Sequence, residues 1–322
     1  MKKTAITLLF ISLIVSLHAQ DSNSPQGKGN ASPADTSHWR IGGVGGFNFA
    51  QTSYTNWAAG GEDALSGTGI TSLFANYLKG KTSWDNTLDM AYGKTELGHG
   101  RPRKSDDKID LASKYGRYAF ADHWYYSGLF NFKSQFDNGY NYPNDTTVVS
   151  RFMAPAFFVL SIGLDYKIKD YFSLFIGPVT AKVTVVNDQT LADAGSYGVQ
   201  KATYDNTGRL LSPGKKHLEE FGGYVKVAFK KDVMKNVNLA TKLELFSNYL
   251  KDPQNIVVNW ETLIAMRINK YISANVSTQL MYDDKVNTKI LNPDKTYKVN
   301  GPRVQFKEVL SIGISYKFNR RG

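Results

Sequence analysis

The chain has no cysteine among its 322 residues. Disulfides, thiolate metal sites, a cysteine nucleophile and a lipidated N-terminal cysteine are therefore excluded. No stretch reaches 18 consecutive apolar residues, so no transmembrane helix is expected. Histidine is sparse, with five in all. The formal net charge of +11 raises nucleic acid as a partner, yet no basic groove interleaved with aromatics accompanies it. The apolar and charged fractions, 42% and 21%, are those of an ordinary folded chain, which argues against wholesale disorder. Aromatics are abundant, with 18 Phe, 19 Tyr and 5 Trp, and glycine is high at 28.

The first residues read as a targeting segment. Lys2 and Lys3 precede an apolar run from Ala5 to Leu17, and a small residue, Ala19, marks the cut. Residues 1–19 are expected to be a signal peptide for export. Residues 20–38, rich in Ser, Pro, Asn and Gly, are expected to be a flexible periplasmic leader. One domain is expected over 39–318, with a short tail at 319–322.

From Trp39 onward the pattern has period two. Phe306, Leu310, Ile312, Ile314, Tyr316 and Phe318 share one parity, and Lys307, Ser311, Ser315 and Lys317 share the other. Helices do not keep this spacing, whereas strands produce it directly. Twelve segments qualify: 39–50, 69–79, 82–93, 107–118, 123–136, 154–168, 172–186, 218–231, 236–250, 255–268, 271–284 and 306–318. The seventh loses its parity at Gly177-Pro178, which predicts a bulge. Most reach the roughly 9–11 residues that a tilted membrane-spanning strand needs. The links between them alternate long and short, with Lys251–Gln254 the one departure. Outer-membrane barrels sort their connections in this way, with short periplasmic turns and long external loops. The expected fold is all-β: a transmembrane antiparallel up-and-down β-barrel of about 12 strands with both termini periplasmic.

The run Tyr54-Thr55-Asn56-Trp57-Ala58-Ala59-Gly60-Gly61-Glu62 carries a resemblance. Its Asn-Trp-Ala-Ala-Gly-Gly-Glu portion (Asn56, Trp57, Gly60, Gly61 and Glu62 the marked residues) resembles the opening of an uncharacterised family of outer-membrane β-barrels, domain-of-unknown-function family 3078. The resemblance extends over Trp39 to Phe318. It implies a Gram-negative outer-membrane location and no assigned activity. The segment itself has two readings. It is a lid with Trp57 wedged into the lumen, or a surface turn with Trp57 in the external aromatic girdle.

Chemistry is thinly represented. A phospholipase-type barrel needs His and Ser two residues apart on one strand face. The residues two positions after His38, His99, His123 and His217 are Arg40, Arg101, Tyr125 and Glu219. His99 with Asp106 and Asp107 reads more plainly as polar loop. Asp283-Asp284 is a weak calcium corner. The glycines of Gly42-Gly43-Val44-Gly45-Gly46 suit a tight lumen or a close neighbouring backbone. No enzyme, cofactor or metal is expected.

The polar strand faces predict a wet or salt-bridged interior, with Lys226, Lys242, Glu244, Glu261 and Arg267 as the candidate pore-lining residues. An index sum of 468 across 218–231 and 236–250 sets Lys226 opposite Lys242. Loop cations such as Arg101, Arg103, Lys215 and Lys216 suit the phosphates of lipopolysaccharide, or are plain solvated charge. The expected protein is a non-enzymatic outer-membrane barrel with a narrow or gated channel for small solutes. The alternative is a structural or partner-binding barrel in an envelope complex. Its partners are membrane lipid, lipopolysaccharide and envelope proteins, and nucleic acid is not among them.

Overall fold

The computed structural model describes residues 38–53, 62–98, 100–291 and 297–321. Twelve long strands run in chain order: β1 (Trp39–Thr52), β2 (Ala64–Lys79), β3 (Thr82–Leu97), β4 (Arg103–Tyr118), β5 (Trp124–Ser134) and β6 (Ala156–Ile168), then β7 (Phe172–Val185), β8 (His217–Met234), β9 (Val237–Asn248), β10 (Ile256–Arg267), β11 (Ile272–Tyr282) and β12 (Gln305–Arg321). Each pairs antiparallel with its neighbours in sequence, and β1 pairs with β12 to close the barrel. Closure leaves no edge strand, so every strand finds partners on both sides.

All twelve expected segments are strands, and several run further. β2 begins at Ala64 because the ladder with β1 continues up to Thr52 opposite Ala64. β12 continues to Arg321, opposite Arg40. The expected bulge is present. Gly222 pairs with Thr180 but Tyr224 pairs with Gly177, so the register of β7 shifts between them. Phe175 and Thr180, five apart, are consequently both buried on the inner face. The bulge pushes the chain close to its other neighbour: a Cβ on Gly163 would lie 1.9 Å from the Ile176 carbonyl oxygen.

The register of β8 and β9 differs from the expected one. Lys226 stands opposite Glu244, and Ala228 opposite Lys242. The pairing sum is 470 rather than 468. Met234 already pairs with Val237, leaving Lys235-Asn236 as a two-residue turn with Asn236 at φ 63. A left-handed Asn closes so short a turn without strain. The shift also replaces a like-charge pair by an opposite one.

The outer face is apolar. Leu160, Ile162, Leu310, Ile312 and Ile314 are among its exposed residues. Aromatics gather at both ends of this band. At the turn end Trp39 meets Tyr77 and Trp84, Trp124 meets Tyr166, and Tyr171 meets Phe229. At the loop end Phe132 meets Phe158, Phe221 meets Tyr249, and Tyr92 meets Phe136. Eight residues separate Phe221 from Phe229, and at about 3.3 Å per residue with about 40° tilt they rise about 20 Å. That is the scale of a lipid-facing band between two girdles, which is about 25 Å tall.

The connection from β7 to β8 folds upon itself. It holds α1 (Gln189–Asp193), and Leu191, Ala192 and Val199 pack with Ala154 and Val186 into a small apolar cluster. Asp188 caps α1 by accepting from the Leu191 N–H at 3.0 Å. A Cβ on Gly214 would lie 2.2 Å from the Ala192 carbonyl oxygen, so only glycine permits this closeness.

Candidate functional site: a divided lumen

Inward-facing side chains fall into two arcs. From β4 to β9 they are packed. Asp110, Asn131, Ser161, Asp165, Thr180, Lys182 and Glu220 are buried there, as is an apolar knot of Leu129, Val159, Phe175, Tyr224 and Phe246. Three ionic clusters stack along this arc.

Nearest the turns, Lys114 meets Asp165 at 2.8 Å, and Lys167 bonds Asp85 and Ser83. In the centre, Asp110 accepts from Lys242 at 2.8 Å and from Asn131 at 2.7 Å. Glu244 takes Lys133, and Lys226 at 3.3 Å. Glu261 takes Lys108 at 2.7 Å and Lys242 at 3.5 Å. Towards the loops, Glu220 holds Lys182 at 3.1 Å and Lys285 at 2.9 Å, while Asp283 and Asp284 join from the side. The central cluster sets four lysines against three carboxylates, and the loop-end cluster two against three. The partition as a whole is thus close to neutral.

These pairs constrain the barrel's shape. Around a closed ring of twelve, β4 and β10 are diametrically opposed. A round barrel of twelve strands at about 40° tilt has a backbone diameter of about 24 Å. Lys108 on β4 and Glu261 on β10 nevertheless touch at 2.7 Å. Their stems together reach at most about 11 Å, so the two walls stand no more than about 14 Å apart there. The barrel is flattened across β4 and β10, and the central ion pairs divide its lumen.

The other arc is open. Ser72 on β2 and Thr87 on β3 face inward and are exposed. So is Val309 on β12, at 36%. This wall mixes small or polar residues, Gly46, Asn48, Ser311 and Asp89, with Val44 opposite Ser72 and with Ile70 and Phe74, which lie over Gly46 and Gly42. Asp89 accepts a hydrogen bond from Ser72 at 2.6 Å, and among the described residues no cation pairs with it. The mouths of this arc are crossed by two exposed pairs. Arg40 on β1 reaches Asp170 in the β6–β7 turn, and Lys307 on β12 reaches Asp106 on β4 at 3.1 Å.

Of the five sequence-picked lumen residues, Lys226, Lys242, Glu244 and Glu261 come together in the central partition. Arg267 does not join them. It lies exposed at the turn end, its backbone N–H donating to the Asn236 carbonyl at 2.8 Å. Asn56, Trp57, Gly60 and Gly61 lie outside the described residues, and Glu62 is exposed beside Gly98. Both readings of that segment stand as expectations. The exposed arc was missed because Ser72 and Thr87 carry no charge. The glycine-rich start of β1 was its available signal. Asp283 and Asp284 are occupied by lysines and Asn255. Among the described residues no three acidic or histidine side chains converge as for a metal ion.

Loop groups over the packed arc are tightly held. Asp193 accepts from the Gln189 side chain and the Gly214 N–H, both at 2.7 Å, which hold its carboxyl below the usual carboxylate range. Tyr197 donates to the Val149 carbonyl at 2.7 Å, and burial pushes its phenol up to about 12.

A closed antiparallel barrel with an apolar outer band, two aromatic girdles and an ionic lumen defines the class: a β-barrel of the outer-membrane type. Residues 49–140 match the family described as "Protein of unknown function (DUF3078)", the family that the Asn56–Glu62 run resembles. No curated protein matches the chain. Among solved structures, an outer membrane channel from Pseudomonas putida F1 is similar at 12% identity and a TM-score of 0.38, covering 90% of this chain and all of that one. The translocator domain of the autotransporter NalP from Neisseria meningitidis is similar at 11% identity and 0.36, covering 88% and 89%. The NanC porin is similar at 8% identity and 0.34, covering 86% and 100%.

Proposed function

We propose that this chain is a non-enzymatic barrel of the outer membrane, exported by its N-terminal segment, and that it passes small solutes through a narrow, gated, eccentric conduit. The observation that carries this is the open arc, where Ser72, Thr87 and Val309 stay solvent-accessible inside a closed barrel. A barrel needing only stability gains little from so many buried charges, because ion pairs in a core do no better than apolar packing. Facing an aqueous path, the same pairs fix the shape of a wet wall. The Arg40–Asp170 and Lys307–Asp106 pairs over the mouths are the proposed gate. Exposed pairs are worth about 0–1 kcal/mol each, so thermal motion opens them. Asp89 gives the conduit a preference for cations.

The absence of native cysteine makes the test direct. Single cysteines at Ser72, Thr87 and Val309 should react with a methanethiosulfonate reagent in a planar bilayer, and the current should fall as they do. A cysteine at Ser161 in the packed arc should leave the current unchanged. Asp89→Asn should move the reversal potential in a salt gradient towards anions. The packed β4–β9 arc favours a second reading, a structural barrel in an envelope complex. Absence of any current from the folded protein would select that reading.

A further inference from the structure

The net charge of the barrel is not spread over it. Residues 38–322 carry 36 Lys and Arg against 26 Asp and Glu, an excess of ten. The turn end comprises residues 38–40, 79–81, 117–123, 169–171, 230–236, 267–271 and 317–321. These short stretches hold thirteen of the cations and three of the acids. Everything else, lumen and long loops together, holds twenty-three of each sign. The entire excess therefore sits at one end.

Its distribution is a ring. Each of the five turns has at least one exposed cation within it or at the end of the strand that enters it: Lys79, Arg117, Lys169, Lys235 and Lys270. The cations share this end with the aromatic girdle of Trp39, Trp84 and Trp124, and in three places they lie over aromatic rings, Arg40 at 5.4 Å from the centre of the Phe74 ring. Lys231 lies 5.2 Å from the centre of the Tyr171 ring, and Lys270 4.9 Å from that of Tyr271. Aromatic girdles sit at headgroup depth. Lysine stems run along apolar surface and present the ammonium at the adjoining polar layer. A ring at that depth, encircling the barrel, fits a partner that also encircles it. A protein docked from one side would need only one arc.

We propose that the turn end is a binding ring for anionic phospholipid headgroups of the leaflet it borders. The ligand chemistry is the lipid phosphate, held by lysine and arginine beside aromatic rings. This inference rests on the barrel crossing a membrane and is independent of whether the lumen conducts.

The test uses the full chain in phosphatidylcholine vesicles doped with spin-labelled phosphatidylglycerol or spin-labelled phosphatidylcholine. The motionally restricted shell should favour phosphatidylglycerol by about fivefold or more, and raised salt should erode the preference. Lys230→Gln combined with Lys231→Gln, Lys235→Gln and Lys270→Gln should bring it close to parity. Lys201→Gln combined with Lys215→Gln, Lys216→Gln and Lys251→Gln at the loop end should leave it intact. Equal shells for both lipids in the unaltered protein overturn the proposal, as does equal loss in the two variants. Phosphate buffer displacing the lipid more effectively than chloride at matched ionic strength shows a plain anion site, and also overturns it. So does enrichment of added lipopolysaccharide with no preference for phosphatidylglycerol. The salt dependence of the unaltered protein needs no variant to fold.

Discussion

Asp110 illustrates how single residues hold this lumen. It is 3% exposed on the central strand face and meets Lys242, Lys133 and Lys108 within 4.0 Å, with Asn131 closing the remaining side. Removing one partner of a buried ionic set strands the others. Asp110→Asn should therefore lower unfolding stability by about 3–5 kcal/mol, whereas Asp110→Leu with Lys242→Leu should recover much of that loss. Urea unfolding of the reconstituted protein measures both. No loss in Asp110→Asn, which keeps the volume and removes only the charge, would mean that the site contributes volume rather than charge. Adjacent residues on β12 separate the two faces in the same assay. Leu310, 71% exposed, points to lipid, and Val309 points inward. Leu310→Arg should cost about 2–4 kcal/mol, and Val309→Arg should cost much less.

At the scale of elements, the β7–β8 connection has the clearest consequence. Its fold rests on Asp188 capping α1, on Asp193 bridging Gln189 and Gly214, and on the apolar packing of Leu191 and Val199. Asp193 has a folded-state pKa below its ordinary value. Such a group contributes stability that is complete above the unfolded value of about 3.9 and is lost as pH falls through the folded one. Lys216 acts on it in the same direction. Amide hydrogen exchange over 189–202, compared at equal intrinsic rate, should thus show protection falling once pH drops below the unfolded value of about 3.9. Asp193→Asn should flatten that dependence. Tyr197, held near 12, should leave protection unchanged up to about pH 10. An unaltered acid profile in Asp193→Asn would place the sensitivity elsewhere in the connection.

At the scale of the whole barrel, the described residues form a tube that is asymmetric across its section and along its axis. Across the section, one arc is filled and the other open. Along the axis, turns of two to five residues oppose loops that extend to the 31 residues between Val185 and His217. Biogenesis places short turns in the periplasm and long loops outside. Asn206→Cys should then label with a membrane-impermeant thiol reagent on intact cells, while Lys235→Cys should label only after the envelope is opened. The opposite pattern would reverse the orientation, and the cationic ring would then face the outer leaflet.

The sequence by itself determined the twelve strands, because period two is a local property that any strand with one apolar and one polar face must carry. It also determined the bulge at Gly177-Pro178, where parity breaks, and most of the separation of turns from loops; the link expected at Lys94–Asp106 shortens to 98–102, as short as the turn 119–123, because β3 and β4 keep pairing into it. Lys226, Lys242, Glu244 and Glu261 were legible as inward-facing charges for the same reason. Only the tertiary structure decided what those charges meet. Lys108 and Glu261 are 153 residues apart and belong to opposite walls, so no local pattern couples them. The β8–β9 register turned on one left-handed Asn and a two-residue turn, a difference of two positions that leaves parity untouched. Which arc fills and which stays open depends on how the ring flattens. That is set by long-range ion pairs and side-chain volumes acting together across the barrel.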